Sequence, residues 1–249
     1  MSTTNSTPDP VYIVFGATGG IGSQLCRRLH GRGARVIPAA RDPQRLQSLS
    51  EELGTPAVPL DATRFDDVES CVSMTVERFG RLDGVANCIG SLLLKPAHLT
   101  SEAEWTATLT TNLTSAFAVV RAATKALTSG GSIVLVSSAA ARLGLANHEA
   151  IAAAKAGIIG LTLSAAASYG PRGIRVNCVA PGLVRTPLTA RLTQNELTLK
   201  ASTAMHVLGR IGEPGDVAAA IDWLLGAESS WVTGQVLGID GGLASVRSR

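Results

Sequence analysis

Val11-Tyr12-Ile13-Val14-Phe15 is an unbroken apolar run that stops at glycine. Such a run suits a strand buried on both faces. It opens directly into Gly16-Ala17-Thr18-Gly19-Gly20-Ile21-Gly22, after which Ile21, Leu25 and Leu29 recur on one helical face. Strand, glycine turn and helix in succession give a glycine motif its meaning. Glycines there let the main chain approach a pyrophosphate, which rests on the N–H groups of the helix start. Gly16, Thr18, Gly20, Ile21 and Gly22 are therefore candidate cofactor-binding residues.

The rest of the chain repeats the strand–helix alternation. Arg35 to Ala40 reads as a second strand, followed by Arg41-Asp42-Pro43 and a polar helix. In dinucleotide folds an acidic residue about 20 positions past the glycines holds the ribose 2′-OH, whereas an arginine there suits a 2′-phosphate. Ala40 ends this strand and Arg41 follows, which favours NADP(H) over NAD(H), with NAD(H) possible. Asp42 could take a ribose hydroxyl instead, but Asp-Pro is also a helix start, with Asp as cap and Pro in the first turn. We prefer that reading. Further strands are expected at 57–60, 84–87, 132–136, 174–179 and 235–239, with helices at 66–79, 148–169 and 214–225. Residues 101–128 read as one long helix or two in series, with Asn112 inside. A polar stretch, 186–208, reads as a mobile substrate lid. Strict alternation over 249 residues predicts a single-domain α/β, Rossmann-like, doubly wound parallel sheet of about seven strands with helices on both faces. Residues 1–10 read as a flexible tail and 11–249 as the domain.

Composition narrows the function. Hydrophobic residues make up 45% and charged residues 16%, ample for one buried core, and the +3 charge is scattered without a basic patch, so nucleic acid is not an expected partner. Cys26, Cys71, Cys88 and Cys178 form no CxxC pair, and His30, His98, His148 and His206 are dispersed, so no metal site is expected. The apolar region at 150–167 is interrupted by Lys155 and by Gly, Ser and Thr, too polar for a membrane span. With no signal-like leader, a cytoplasmic protein is expected.

Several ordered segments together resemble the short-chain dehydrogenase/reductase family, from about Val11 to Gly242. The glycine turn sits where that family holds the cofactor diphosphate. Asp61-Ala62 looks like its adenine contact. Asn87 to Gly90 resembles its Asn-Asn-Ala-Gly segment, with Cys88 and Ile89 substituted. Asn112, Ser138 and Lys155 match residues of its catalytic set. Asn177 to Thr186, including Pro181, Gly182, Val184 and Thr186, is similar to the segment cradling the nicotinamide. The resemblance implies a nicotinamide cofactor, a small carbonyl or alcohol substrate, and a homotetramer or homodimer packed through the helices carrying Asn112 and Lys155.

One position departs from the pattern. The family's catalytic acid is a tyrosine four residues before the lysine, and here that position is Ile151. Tyr12 and Tyr169 both lie far from it in the chain. Losing a positioned acid costs roughly 10²- to 10⁴-fold in rate. Lys155, one turn beyond Ile151, could serve if desolvation lowers its pKa. His148 titrates in the right range and would share the face if the helix has begun there. Ser138 could polarise a carbonyl oxygen. The chain then reads as an NADP-dependent oxidoreductase with a non-tyrosine proton donor. The alternative is a catalytically weak or inactive cofactor-binding protein, a sensor or partner subunit.

Overall fold

The structure, a computed structural model, describes residues 9–246. The expected tail therefore lies outside the described residues up to position 8. Seven parallel strands form one sheet in the order β3-β2-β1-β4-β5-β6-β7. They are β1 (Val11–Phe15), β2 (Arg35–Ala40), β3 (Val58–Pro59), β4 (Gly84–Asn87), β5 (Gly131–Val136), β6 (Ile174–Pro181) and β7 (Val236–Ile239). The order reverses between β1 and β4, whose register pairs Phe15 with Asn87. In open α/β sheets, ligands bind at the strand carboxyl ends beside such a reversal.

Each face of the sheet carries its own core. On one side α1 (Gly20–Gly31), α2 (Pro43–Leu53) and α9 (Pro214–Leu225) cover Tyr12, Val14, Val134 and Val179. On the other, α3 (Phe65–Phe79), α5 (Ser115–Ala126) and α6 (Glu149–Tyr169) cover Ile13, Phe15, Ile133 and Val176. Alternate β1 residues thus face opposite cores, and the whole strand is buried. Each fully buried Ile or Phe contributes about 1.5–3 kcal/mol.

Two expectations change. The 186–208 stretch is mostly helical: a 3-10 turn at Pro187–Thr189, α7 (Ala190–Thr193) and α8 (Glu196–Met205). Asn195 explains α8, since its side chain accepts a hydrogen bond from the Thr198 N–H at 2.9 Å. The polar composition hid that cap. Helix α6 is also long and apolar enough to cross a membrane by length and composition alone, despite its polar interruptions. It is nonetheless a core helix on one side, burying Ile151, Ala154, Ile158, Thr162 and Ala165. The 101–128 region resolves into α4 (Glu102–Leu109), a π-turn at Thr110–Thr114, and α5. Ser101 and Glu104 cap α4 reciprocally.

Candidate active site

A cleft of about 390 Å³ opens at the reversal, where four strand ends converge. Its walls are Gly16, Thr18, Gly19 and Gly20 after β1, Ala39 to Asp42 with Arg45 after β2, Leu60 to Thr63 after β3, and Cys88 to Gly90 after β4. Thr111, Pro187 and Leu188 close it. A larger cavity of about 630 Å³ lies elsewhere, between β7, α9 and the residues that follow α8. The chemistry points to the smaller one, because it carries the glycine turn.

The glycines are required by close approach. Gly16 has φ +76°, and a Cβ there would stand 2.9 Å from backbone atoms of Cys88 and Ile89. At Gly20 a Cβ would meet Thr186 Cγ2 at 2.8 Å, which brings the 181–186 segment against the turn. Gly22 does something different. Its Cβ would lie 2.3 Å from the Gly16 carbonyl oxygen, so its role is helix-to-strand packing. Ile21 packs on the α1 core rather than lining the cleft.

Of the other sequence-expected cofactor residues, Arg41, Asp61, Ala62 and Gly90 line the cleft. Asp61 Oδ1 accepts hydrogen bonds from the Thr63 N–H at 3.0 Å and hydroxyl at 2.9 Å. The Thr63 backbone donor, with Arg41 and Arg64 nearby, holds the Asp61 carboxyl below its usual range. Asn87 is buried and stabilises its own turn, accepting from the Ile89 N–H at 3.1 Å. Gly182 lines the larger cavity instead, as does its neighbour Leu183. Pro181 ends β6, and Val184 is buried. Asp42 is the cap of α2, accepting from the N–H groups of Gln44 and Arg45, each at 3.1 Å.

Asn112 and Lys155 come together around Gly90. A Cβ on Gly90 would lie 3.4 Å from Asn112 Oδ1 and 3.5 Å from Lys155 Nζ. Asn112 sits in the π-turn, fully buried. Its amide is committed: Oδ1 accepts from the Ser91 N–H at 3.2 Å, and Nδ2 donates to Ser91 Oγ and the Thr108 carbonyl, both at 2.9 Å. It pins the Gly90-Ser91 backbone. Lys155 is buried, and Nζ donates to the Val136 carbonyl at 2.9 Å. Burial brings its pKa down to about 8, opposed by the nearby Cys178 and Cys88 thiols. Burial also pushes the Cys88 thiol up to about 12. Ile151 is 3% exposed on the same helix face as Lys155.

Ser138 Oγ accepts from the Ala140 N–H at 3.1 Å, ordering the turn after β5. Ser137, beside it, donates to the Lys155 carbonyl at 2.7 Å and ties β5 to α6. His148 departs from expectation. Helix α6 begins at Glu149, so His148 is its N-cap, at φ −111°, ψ 10°, and its carbonyl accepts from the Ala152 N–H at 2.7 Å. Its Nδ1 is engaged with the Ala146 carbonyl at 2.7 Å. Asn147, just before, is the one non-glycine among the described residues with positive φ, at 63°. Its carbonyl accepts from the Lys95 N–H at 2.8 Å, stitching the loop before α6 to the one after β4.

Arg45 was not foreseen. Its Nη2 donates to the Thr18 carbonyl at 2.8 Å, at the cleft rim. The Asp42-Pro43 start was the available signal, since it puts Arg45 in the first turn of α2, facing back toward the glycines. Cys88 lines the cleft within the Asn87–Gly90 segment, and Thr111 lines it too, though nothing in its local pattern marked it. Among the described residues no group of His, Cys, Asp and Glu is arranged to hold a metal.

Residues 16–244 match the family model described as enoyl-(acyl carrier protein) reductase. The chain belongs to the short-chain dehydrogenase/reductase family. It is 37% identical over 244 residues to the 3-oxoacyl-(acyl-carrier-protein) reductase FabG of Thermotoga maritima, covering 94% of this chain and 97% of that one. A short-chain type dehydrogenase/reductase from Mycobacterium ulcerans superposes with a TM-score of 0.93 at 31% identity, over 96% of this chain and 91% of that one. An actinorhodin polyketide ketoreductase variant with NADPH superposes with a TM-score of 0.89 at 30% identity, over 96% and 98%. Family membership makes the chain an NAD(P)-dependent oxidoreductase by type.

Proposed function

We propose that this protein moves a hydride between NADP(H) and a small carbonyl or alcohol substrate, with Lys155 supplying the proton in place of a tyrosine at 151. The observation that carries this is the buried Lys155 ammonium, its pKa near 8, beside Gly90. A general acid works best with a pKa near the working pH. The residues fit a dinucleotide: Gly16, Gly19 and Gly20 line the cleft at the start of α1, and the chain packs too closely at Gly16 and Gly20 for any Cβ. The bound cofactor supplies the hydride. The turn and the α1 N–H groups would hold its diphosphate, Arg41 a 2′-phosphate, Asp61 and Ala62 its adenine, and Asn87, Gly90 and Thr186 its nicotinamide half. Ser138 would polarise the substrate oxygen. In reduction the Lys155 ammonium gives up one proton to that oxygen and becomes an amine.

The ketoreductase with NADPH supports the cofactor choice by analogy. The same reading places the protein in the cytoplasm as a homotetramer or homodimer. Exposed Phe117 on α5 and Leu163 on α6 support that pairing, which would cover both. A second reading, a cofactor-binding sensor or partner subunit with little turnover, is favoured by Ile151, whose apolar side chain fills the position of the acid.

The test is NADPH binding by fluorescence, followed by NADPH oxidation with a panel of ketones and quinones. Binding with turnover supports the oxidoreductase. Binding without turnover supports the second reading. Absence of binding sinks both.

A further inference from the structure

His206 joins the lid to the segment after β6. The residue lies just past α8 and is 4% exposed, on a stretch whose neighbours Met205, Val207 and Leu208 are all exposed. Both ring nitrogens are engaged. Nδ1 meets the Ser202 carbonyl at 2.6 Å, one turn back on α8. Nε2 meets the Leu183 N–H at 3.2 Å, across 23 residues of chain. A backbone N–H can only donate and a carbonyl can only accept, so the partners fix the tautomer: Nδ1 donates and Nε2 accepts. The ring is also packed tight. A Cβ on Gly182 would fall 2.5 Å from Nε2, and the Cβ position of Gly241 is 3.6 Å from two carbons of the same side chain. Leu183 is held on its far side too, since its carbonyl accepts from the Gly212 N–H at 2.8 Å.

We propose that His206 is a positioning residue that couples the α8 lid to the Pro181–Thr186 segment, so that ordering either one orders the other. This rests on the reading that this segment holds the nicotinamide half of the cofactor. Coupling of this kind is reciprocal. Cofactor bound against 181–186 then tightens the lid, and a closed lid raises cofactor affinity, with this one imidazole as the link. Because the link sits at the nicotinamide end, it acts equally on NADPH and NADH.

The test pairs two amide variants. In H206Q the longer side chain places a carbonyl oxygen near the Nε2 position and can accept from Leu183. In H206N the amide reaches only the Nδ1 position, keeping Ser202 and losing Leu183. Amide hydrogen exchange of the 183–186 and 196–205 peptides is read with and without NADPH, alongside NADPH and NADH affinities. H206N is expected to expose the Leu183 amide and loosen α8 together, and to weaken both cofactors about tenfold, the scale of one orphaned buried donor. H206Q keeps the Leu183 acceptor and gives up the Ser202 bond, so it is expected to restore the protection of 183–186 and both cofactor affinities to near the parent's. Saturating NADPH should protect 196–205 in the parent and not in H206N, while still protecting 16–22 in both. H206N exchange and lid response matching the parent would overturn the coupling. So would loosening of 183–186 with α8 unchanged. Should H206N fail to fold, H206M, apolar and without an acceptor, takes its place with the same expectations. If the parent binds neither cofactor, the functional reading falls, and the paired loosening of 183–186 and 196–205 in the apoprotein still decides the link.

Discussion

The Lys155 ammonium is anchored to the Val136 carbonyl at 2.9 Å, so the last residue of β5 holds the charge that α6 carries into the interior. That anchor leaves two ammonium hydrogens for other partners. Burial lowers the Lys155 pKa from 10.5 to about 8. Below that pH the ammonium can give up a proton as an acid, and above it the amine can only take one up. Carbonyl reduction, read as kcat/KM, is therefore expected to fall as pH rises past about 8, and alcohol oxidation to rise over the same range. Lys155→Met should abolish the dependence and cost roughly 10²-fold or more. A reduction rate that stays flat from neutral pH into the range of an ordinary lysine would remove Lys155 as the donor.

Ile151 is 3% exposed, so a larger side chain there must displace its surroundings. Ile151→Tyr therefore tests two things at once. Overpacking costs about 1–3 kcal/mol, expected as a lower melting temperature by a few degrees. A phenol beside the Lys155 ammonium should recover part of the roughly 10²- to 10⁴-fold that a positioned acid provides. The expected result is a destabilised protein with at least about tenfold faster ketone reduction. A slower enzyme would mean that Ile151 belongs to a differently built working site.

Much of this arrangement was legible in the chain. The β1 run, the glycine turn, the β4 and β6 ends and the helix bearing Lys155 all announce themselves through local pattern, because a buried parallel strand needs continuous apolar residues. The cap at Asp42 was legible for the same kind of reason. What stayed hidden depends on distant parts of the fold. The two bonds of His206 join elements remote in sequence. The reach of Arg45 to Thr18 spans 27 residues. The α8 helix disappeared into a polar composition. The His148 ring's bond to the Ala146 carbonyl, two residues back, was likewise not written in the helical pattern that follows it.

Two glycines of the same helix should respond in opposite ways to the same change. At Gly22 a methyl group would collide with backbone of Gly16 and Ala17, which cannot swing aside. Gly22→Ala is expected to cost about 1–3 kcal/mol, to lower the melting temperature accordingly, and to weaken NADPH and NADH alike by moving α1 off β1. At Gly31, the last residue of α1, no atom lies within 4 Å of the added carbon. Gly31→Ala should stabilise by about 0.4–1 kcal/mol and leave affinity unchanged. Thermal unfolding and a cofactor titration on both variants check the pair. Equal effects at the two sites would refute the packing role given to Gly22.

On the proposed reading, cofactor choice turns on the two arginines at the cleft rim. Asp42 Oδ1 is occupied with the α2 N–H groups, which leaves Arg41 and Arg45 as the cations nearest the end of β2. Among the described residues Arg41 makes no hydrogen bond to a carboxylate, and Arg45 holds the Thr18 carbonyl, so the two substitutions should differ. Arg41→Ala should weaken NADPH by about tenfold or more, the scale of a charged hydrogen bond, and leave NADH nearly untouched. Arg45→Ala removes a support of the glycine turn as well, and should weaken both cofactors, NADPH more than NADH. Dissociation constants for both cofactors in the parent and the two variants, measured at two salt concentrations, provide the check. Exposed charges are screened by salt, so the NADPH preference itself should shrink at the higher concentration. Equal losses of NADPH and NADH in Arg41→Ala would refute a 2′-phosphate role for Arg41.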